Sequence, residues 1–187
     1  INLREGEFNP LQSLSDFIRS DSIHLTGTKV GCGEGGCGSC TVVMSYYAKS
    51  DQVVHRAVNS CLIKLIQVHK TTITTIEYLG SITKTRSSHD KSIHPIQNSF
   101  IKHSATQCGY CTPGFIMSAY ASILNNEAIS DEKSDTFDIE DLHQFDGNLC
   151  RCTGYRSIID SLREFSKNPN PSDNSISFDE TGFKTYE

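Results

Sequence analysis

The chain has 187 residues, 36% of them hydrophobic, with no tryptophan and a formal net charge of −5. That length holds one ordinary domain or two small ones, and the low apolar share points to small cores that draw stability from another source. The negative charge gives no reason to expect nucleic-acid binding, and no stretch reaches the ~18 apolar residues of a membrane span.

Residues 1–7 read as the remnant of a strand and turn. Asn9-Pro10 opens a helix with Pro at its first position, and Leu11, Leu14, Phe17 and Ile18 give it one apolar face. Residues 27–40 form a loop dense in glycine and cysteine. Thr41-Val42-Val43-Met44 follows as a strand, residues 53–58 as its antiparallel return, and residues 49–52 as the hairpin connection. Residues 73–78 make a third strand. The first part is therefore a small β-rich domain with one helix, ending near residue 78. Residues 80–93 are polar and read as a solvated linker.

Pro95 starts a helix running to about His103, with Ile96 and Phe100 on one face. A second helix follows with Thr112 as N-cap and Pro113 at N1. Its stripe is Phe115, Ile116, Ala119, Tyr120, Ile123 and Leu124, and Asn125-Asn126 ends it. Residues 127–136 are acidic loop, and residues 139–145 a short helix capped by Asp138. A last helix begins near Tyr155, with Ile158, Ile159, Leu162 and Phe165 on one face. The second part is thus a small helical bundle, in which the order helix, cysteine pair, helix occurs twice. Beyond Lys167 the composition becomes that of an Asn/Pro/Ser linker.

Eight cysteines fall into two sets of four: 32, 37, 40 and 61, then 108, 111, 150 and 152. Four disulfides are possible in principle, but close pairs suit a shared metal centre better, and metal ligation points to a reducing, cytoplasmic setting. The first set reads C-x4-C-x2-C, then twenty residues, then Cys61, which is the plant-type [2Fe–2S] spacing. Its loop is Gly31-Cys32-Gly33-Glu34-Gly35-Gly36-Cys37-Gly38-Ser39-Cys40. Such a loop builds no apolar core, but glycine lets backbone N–H groups come close to an anionic centre. The same loop satisfies G-x-G-x-x-G, yet a strand-like segment follows where a dinucleotide fingerprint needs a helix. The second set, Cys108-x2-Cys111 and Cys150-x-Cys152, suits zinc or a [2Fe–2S] cluster on spacing alone. Each of its pairs precedes a helix N-terminus, where the dipole stabilises thiolates.

Four motifs in order, GCGEGGCGSCTVV (31–43), AVNSCL (57–62), QCGYCTPG (107–114) and GNLCRCTGYR (147–156), resemble the iron–sulfur part of the molybdenum hydroxylases, the family of xanthine dehydrogenase and aldehyde oxidase. A weaker echo runs through residues 80–86 and 94–97, with residues 87–93 as a short insertion. The resemblance implies an α+β chain: a β-grasp, ferredoxin-like [2Fe–2S] domain at 1–79, lacking its first strand, a connecting loop at 80–94, a four-helix-bundle [2Fe–2S] domain at 95–167, and a linker toward an FAD domain at 168–187. It implies two [2Fe–2S] clusters, the first held by Cys32, Cys37, Cys40 and Cys61 and facing the flavin across the Cys37–Cys40 turn. The second, held by Cys108, Cys111, Cys150 and Cys152, lies near a molybdenum–pterin cofactor that Gln107 and Cys152 contact. It further implies electron transfer from molybdenum through both clusters to FAD, with flavin and molybdenum domains of the same polypeptide as partners and a homodimeric full enzyme. No substrate-handling residue lies in this stretch. The alternatives are a separate small iron–sulfur subunit and a zinc-stapled interaction module.

Overall fold

The computed structural model describes residues 8–48, 52–80, 93–129 and 145–165. The expected N-terminal strand, hairpin tip, linker, acidic loop and short helix at 139–145, and the tail after Lys167, lie wholly or almost wholly outside them. The described elements are α1 (Leu14–Arg19), β1 (Thr41–Tyr47), β2 (Val53–Asn59), β3 (Thr72–Thr74), α2 (Pro95–Lys102), α3 (Thr112–Ile129) and α4 (Arg156–Arg163).

The three strands form one antiparallel sheet in the order β2-β1-β3. Thr41 pairs with Asn59 and Tyr47 with Val53, and Val43 pairs with Thr74. Successive side chains of a strand point to opposite faces, and β1 uses both. Val42 packs with Leu14, Phe17, Ile18 and Leu65. Val43 packs with Phe115, Ile116, Ala119 and Ile123 of α3. The central strand is therefore apolar on consecutive positions because it is covered twice, by α1 on one side and α3 on the other. Ile96 and Phe100 of α2 and Ile158 and Leu162 of α4 complete the second core. The main helix contacts are α4 on α2 and α2 on α3.

Three local expectations change. α1 begins at Leu14, not beside Pro10. The Asn9 side chain accepts from the Leu11 N–H at 2.9 Å, closing a turn that competes with helix, while Ser13 Oγ caps the helix through the Asp16 N–H at 3.0 Å. The third strand stops at Thr74, and Ile76–Leu79 forms a 3-10 turn. It does so because Leu79 is buried with the helices, and Ile76 packs against the same core; these residues leave the sheet to join the second core. α3 runs through Asn125-Asn126 to Ile129. Asn125 does not terminate the helix, since its side chain accepts from the His55 N–H at 3.0 Å and donates to the His55 carbonyl. It thereby satisfies the outer edge of β2, beside which no further strand lies among the described residues. Among the described residues the bundle consists of α2, α3 and α4, the short helix expected at 139–145 lying almost wholly outside them.

Candidate metal centres

The first cysteine quartet is assembled by the sheet and the glycine loop together. The Thr41–Asn59 pairing sets the chain ends of β1 and β2 side by side, which brings Cys40 next to Cys61. Ser60, fully buried, fixes that junction by donating its hydroxyl to the Cys40 carbonyl at 2.7 Å. Asn59 Nδ2 reaches across to the Gly35 carbonyl at 2.8 Å and ties the loop down. Within the loop, the Glu34 and Gly36 N–H groups donate to Cys32 Sγ at 3.4 and 3.3 Å. Gly33, Gly35 and Gly38 have φ of +73°, +77° and +69°, the left-handed region open to glycine. The loop is therefore a row of turns whose amides face sulfur.

The thiols meet two by two. Cys61 hydrogen-bonds Cys40, and burial together with that neighbour pushes Cys61 up to about 11. Burial also works against ionising Cys37, but hydrogen bonds from Ser39 and Cys32 outweigh it and bring Cys37 down to about 7.

In the second quartet, burial, then the Cys150 hydrogen bond and the charges of Cys150 and Cys108, push Cys111 up to about 12. Cys150 is lowered despite burial by hydrogen bonds from Thr153 and Cys152. Cys152 is raised, chiefly by its bond with Cys108. The pairs are thus Cys111 with Cys150 and Cys108 with Cys152. Thr112, directly after Cys111, opens α3. On the other side the Tyr155 hydroxyl accepts from the Cys150 N–H at 3.0 Å, with Tyr155 itself held at φ +69°.

Among the described residues no three Cys, His, Asp or Glu side chains converge closely enough for one metal ion. Eight thiols nevertheless gather in two fours, each made of two touching pairs. That arrangement suits a flat two-iron centre with two thiolates per iron better than a single tetrahedral ion. The all-sulfur donor set and the amides directed at Sγ fit an anionic cluster, and the raised proton affinity of Cys61, Cys111 and Cys152 beside neighbouring thiols is relieved when iron replaces the competing protons.

The two quartets belong to one body. The Leu149 N–H donates to the Cys37 carbonyl at 2.9 Å. Asn148, buried, donates through Nδ2 to the Gly38 carbonyl at 3.1 Å and accepts from the Ser118 hydroxyl at 2.8 Å. The Tyr110 hydroxyl donates to the Val30 carbonyl at 2.7 Å. Gly38 and Gly114 touch so closely that a Cβ on Gly114 would lie 2.2 Å from the Gly38 carbonyl oxygen. The Cys37–Cys40 turn is therefore covered by the helical part. The open edge of the first centre is the stretch from Cys32 to Gly36, where only Gly35 is half-buried. Gln107, Cys108 and Cys152 are exposed on the second centre. Ser39, Asn59, Ser118, Asn148 and Thr153 were not distinguished by sequence reasoning, although all but Ser118 sit inside the cysteine motifs. Their neighbours in space are remote in the chain, and no spacing rule reveals such partners.

Two family profiles match the chain: a 2Fe-2S iron-sulfur cluster binding domain over residues 4–65 and a [2Fe-2S] binding domain over residues 75–163. The second begins before Ile76 and Leu79, in agreement with their burial among the helices. A xanthine dehydrogenase of Dictyostelium discoideum is 47% identical over 168 residues, 88% of this chain and 11% of that protein. An aldehyde oxidase 3 of Rattus norvegicus is 45% identical over 165 residues, again 88% and 11%. The chain thus spans about a tenth of the curated relatives it matches. Among solved structures, quinoline 2-oxidoreductase from Pseudomonas putida 86 aligns with a TM-score of 0.63 at 33% identity, covering 83% of this chain and 80% of that one. Aldehyde oxidoreductase from Desulfovibrio gigas aligns at 0.68 and 30% identity, covering 94% and 17%.

Proposed function

The chain belongs to the molybdenum hydroxylases, the family of xanthine dehydrogenase and aldehyde oxidase, and carries two [2Fe–2S] domains; from this we propose that it conducts electrons from a molybdenum–pterin centre through both clusters to FAD within a larger oxidoreductase. Cys32, Cys37, Cys40 and Cys61 hold the first cluster, and Cys108, Cys111, Cys150 and Cys152 the second. Bound, each cluster supplies a one-electron relay. The chain's own part is to fix the two relays at a set separation, exclude water between them and hold each thiolate ionised.

The single observation that carries this reading is the Leu149 N–H donating to the Cys37 carbonyl at 2.9 Å. It joins a ligand of the first cluster to the residue preceding a ligand of the second, the short bonded bridge a wire needs. The exposed Gln107 and Cys152 are on the side where a pterin is to be contacted. The exposed edge from Cys32 to Gly36 is where electrons leave toward the flavin. Residues 1–79 and 95–167 are the two cluster units, joined by 80–94 and followed by a connection at 168–187. The full enzyme is a cytoplasmic homodimer. Among the described residues no helix is long and apolar enough to cross a membrane.

Purified native protein is expected to contain four iron and four labile sulfide per chain in this region and to give two distinct EPR signals on reduction. Cys40→Ser or Cys61→Ser removes only the first signal and Cys111→Ser only the second. Zinc in either quartet, or loss of both signals from any one substitution, overturns the assignment. A second reading, a separate iron–sulfur subunit, draws support from the quinoline 2-oxidoreductase chain, of which this chain covers 80%. The size of the native polypeptide carrying these residues on a denaturing gel decides between them.

A further inference from the structure

Both centres contain the same three-part relay, and neither is explained by ligation alone. In the first, the Gly31 N–H donates to Ser39 Oγ at 3.1 Å, and Ser39 Oγ lies 3.1 Å from Cys37 Sγ. In the second, the Tyr155 N–H donates to Thr153 Oγ1 at 3.2 Å, and Thr153 Oγ1 lies 3.1 Å from Cys150 Sγ. A hydroxyl whose oxygen already accepts a backbone N–H keeps its own hydrogen free to point elsewhere. A metal-bound thiolate is only an acceptor, so in the loaded protein the hydrogen points at sulfur. Ser39 is almost fully buried, which keeps water from replacing it. The two cysteines served in this way lie at the junction of the quartets: the Leu149 N–H, one residue before Cys150, donates to the Cys37 carbonyl.

We infer that the Ser39 and Thr153 hydroxyls are positioning groups that donate to the Cys37 and Cys150 thiolates and raise the reduction potential of each cluster from the side facing the other. The inference rests on the two-cluster reading above. Its physical ground is charge. When a cluster takes up one electron, no bond breaks and no proton moves, but its sulfurs become more negative. A charge-assisted hydrogen bond to sulfur is then stronger than before, so it favours the reduced form; hydrogen bonds to the sulfurs are among the factors that set cluster potentials. Ser39 is held by Gly31 in a loop turn, and Thr153 by Tyr155 at the start of α4. Two unrelated backbone settings thus deliver the same donor to equivalent places.

The test is an EPR-monitored redox titration of the holoenzyme, with redox mediators and dithionite as reductant, on wild type, Ser39→Ala, Thr153→Val and Thr153→Ser. Ser39→Ala is expected to lower the potential of the first cluster alone, cutting its reduced-to-oxidised ratio at a fixed potential roughly tenfold, about 59 mV for one electron. Thr153→Val does the same to the second cluster alone, and Thr153→Ser restores the wild-type value because the hydroxyl is back. A merely structural role moves both potentials or neither, or leaves Thr153→Ser as displaced as Thr153→Val; each of these results overturns the inference, as does a shift to higher potential. If Ser39→Ala fails to assemble the first cluster, the two Thr153 variants carry the test unaided. Absence of two [2Fe–2S] signals in the wild type instead brings down the cluster reading itself, and this inference with it.

Discussion

Among the single residues that connect the two cluster units, Asn148 is the clearest case. Its buried amide links Ser118 of α3 to the Gly38 carbonyl, so Asn148→Ala strands a hydroxyl and a carbonyl in a site closed to water. The expected loss is about 1–3 kcal/mol, read as a lower denaturation midpoint at unchanged iron content. Glu164 works at the outer face, where it accepts from Lys102 Nζ and from His103 Nε2. The Lys102 hydrogen bond, helped by His103 and opposed by partial burial, takes the carboxyl from an ordinary 4.5 to about 2. A depressed carboxyl stabilises the fold above its unfolded value and stops doing so as pH falls through its folded one. Glu164→Gln is therefore expected to cost up to about 1 kcal/mol, the scale of a solvent-screened pair, from neutral pH down to about 4.5. The difference from wild type should then close between pH 4.5 and 2 in denaturant titrations; a gap that closes already above pH 5 counts against this account.

At the scale of elements, the decisive contact is between the start of α3 and the turn after Cys37. Gly114 lies in the first turn of α3 because the helix begins at Thr112, and a Cβ there would meet the Gly38 carbonyl oxygen at 2.2 Å, a backbone atom with nowhere to go. Gly114→Ala must push the glycine loop off the helix, at a cost of about 1–3 kcal/mol. Magnetic coupling between the two reduced clusters should weaken as they separate. Gly147 supplies the control: a Cβ there meets nothing within 4 Å, so Gly147→Ala should leave the coupling unchanged. Equal effects from both substitutions would mean that backbone stiffness, not contact, matters. The same element scale explains Asn125. It has the composition of a helix stop, yet the edge of β2 recruits its side chain, and α3 continues.

Across the whole molecule, the sheet is the middle of three layers, and the helical core reaches through Val43 to its central strand. The cysteine loops at 31–40 and 147–154 have few buried apolar side chains of their own, so the clusters are their cores. Iron removal by a chelator is expected to reduce the helical CD signal and to open both loops to protease. Because α3 covers β1, the loss should spread into the sheet instead of stopping at the helices. Full helical CD surviving complete chelation would show that the layers hold without metal.

The sequence by itself grouped the eight cysteines into two sets of four and showed the plant-type [2Fe–2S] spacing of the first, because thiolate spacing and glycine-rich turns are local requirements written in consecutive residues. It also determined the helices at Pro95 and Thr112, where Pro and a capping residue act within one turn. What it left undecided was everything that depends on residues distant in the chain. Only Gly114, Asn148 and Leu149, more than seventy positions away, show that the turn after Cys37 is covered by the helical part. The end of β3 at Thr74, the assignment of Ile76 and Leu79 to the helical core, and the hydroxyls of Ser39 and Thr153 aimed at sulfur were likewise decided by packing. Burial and hydrogen-bond partnership are properties of space, and only the folded chain brings these groups within reach of one another.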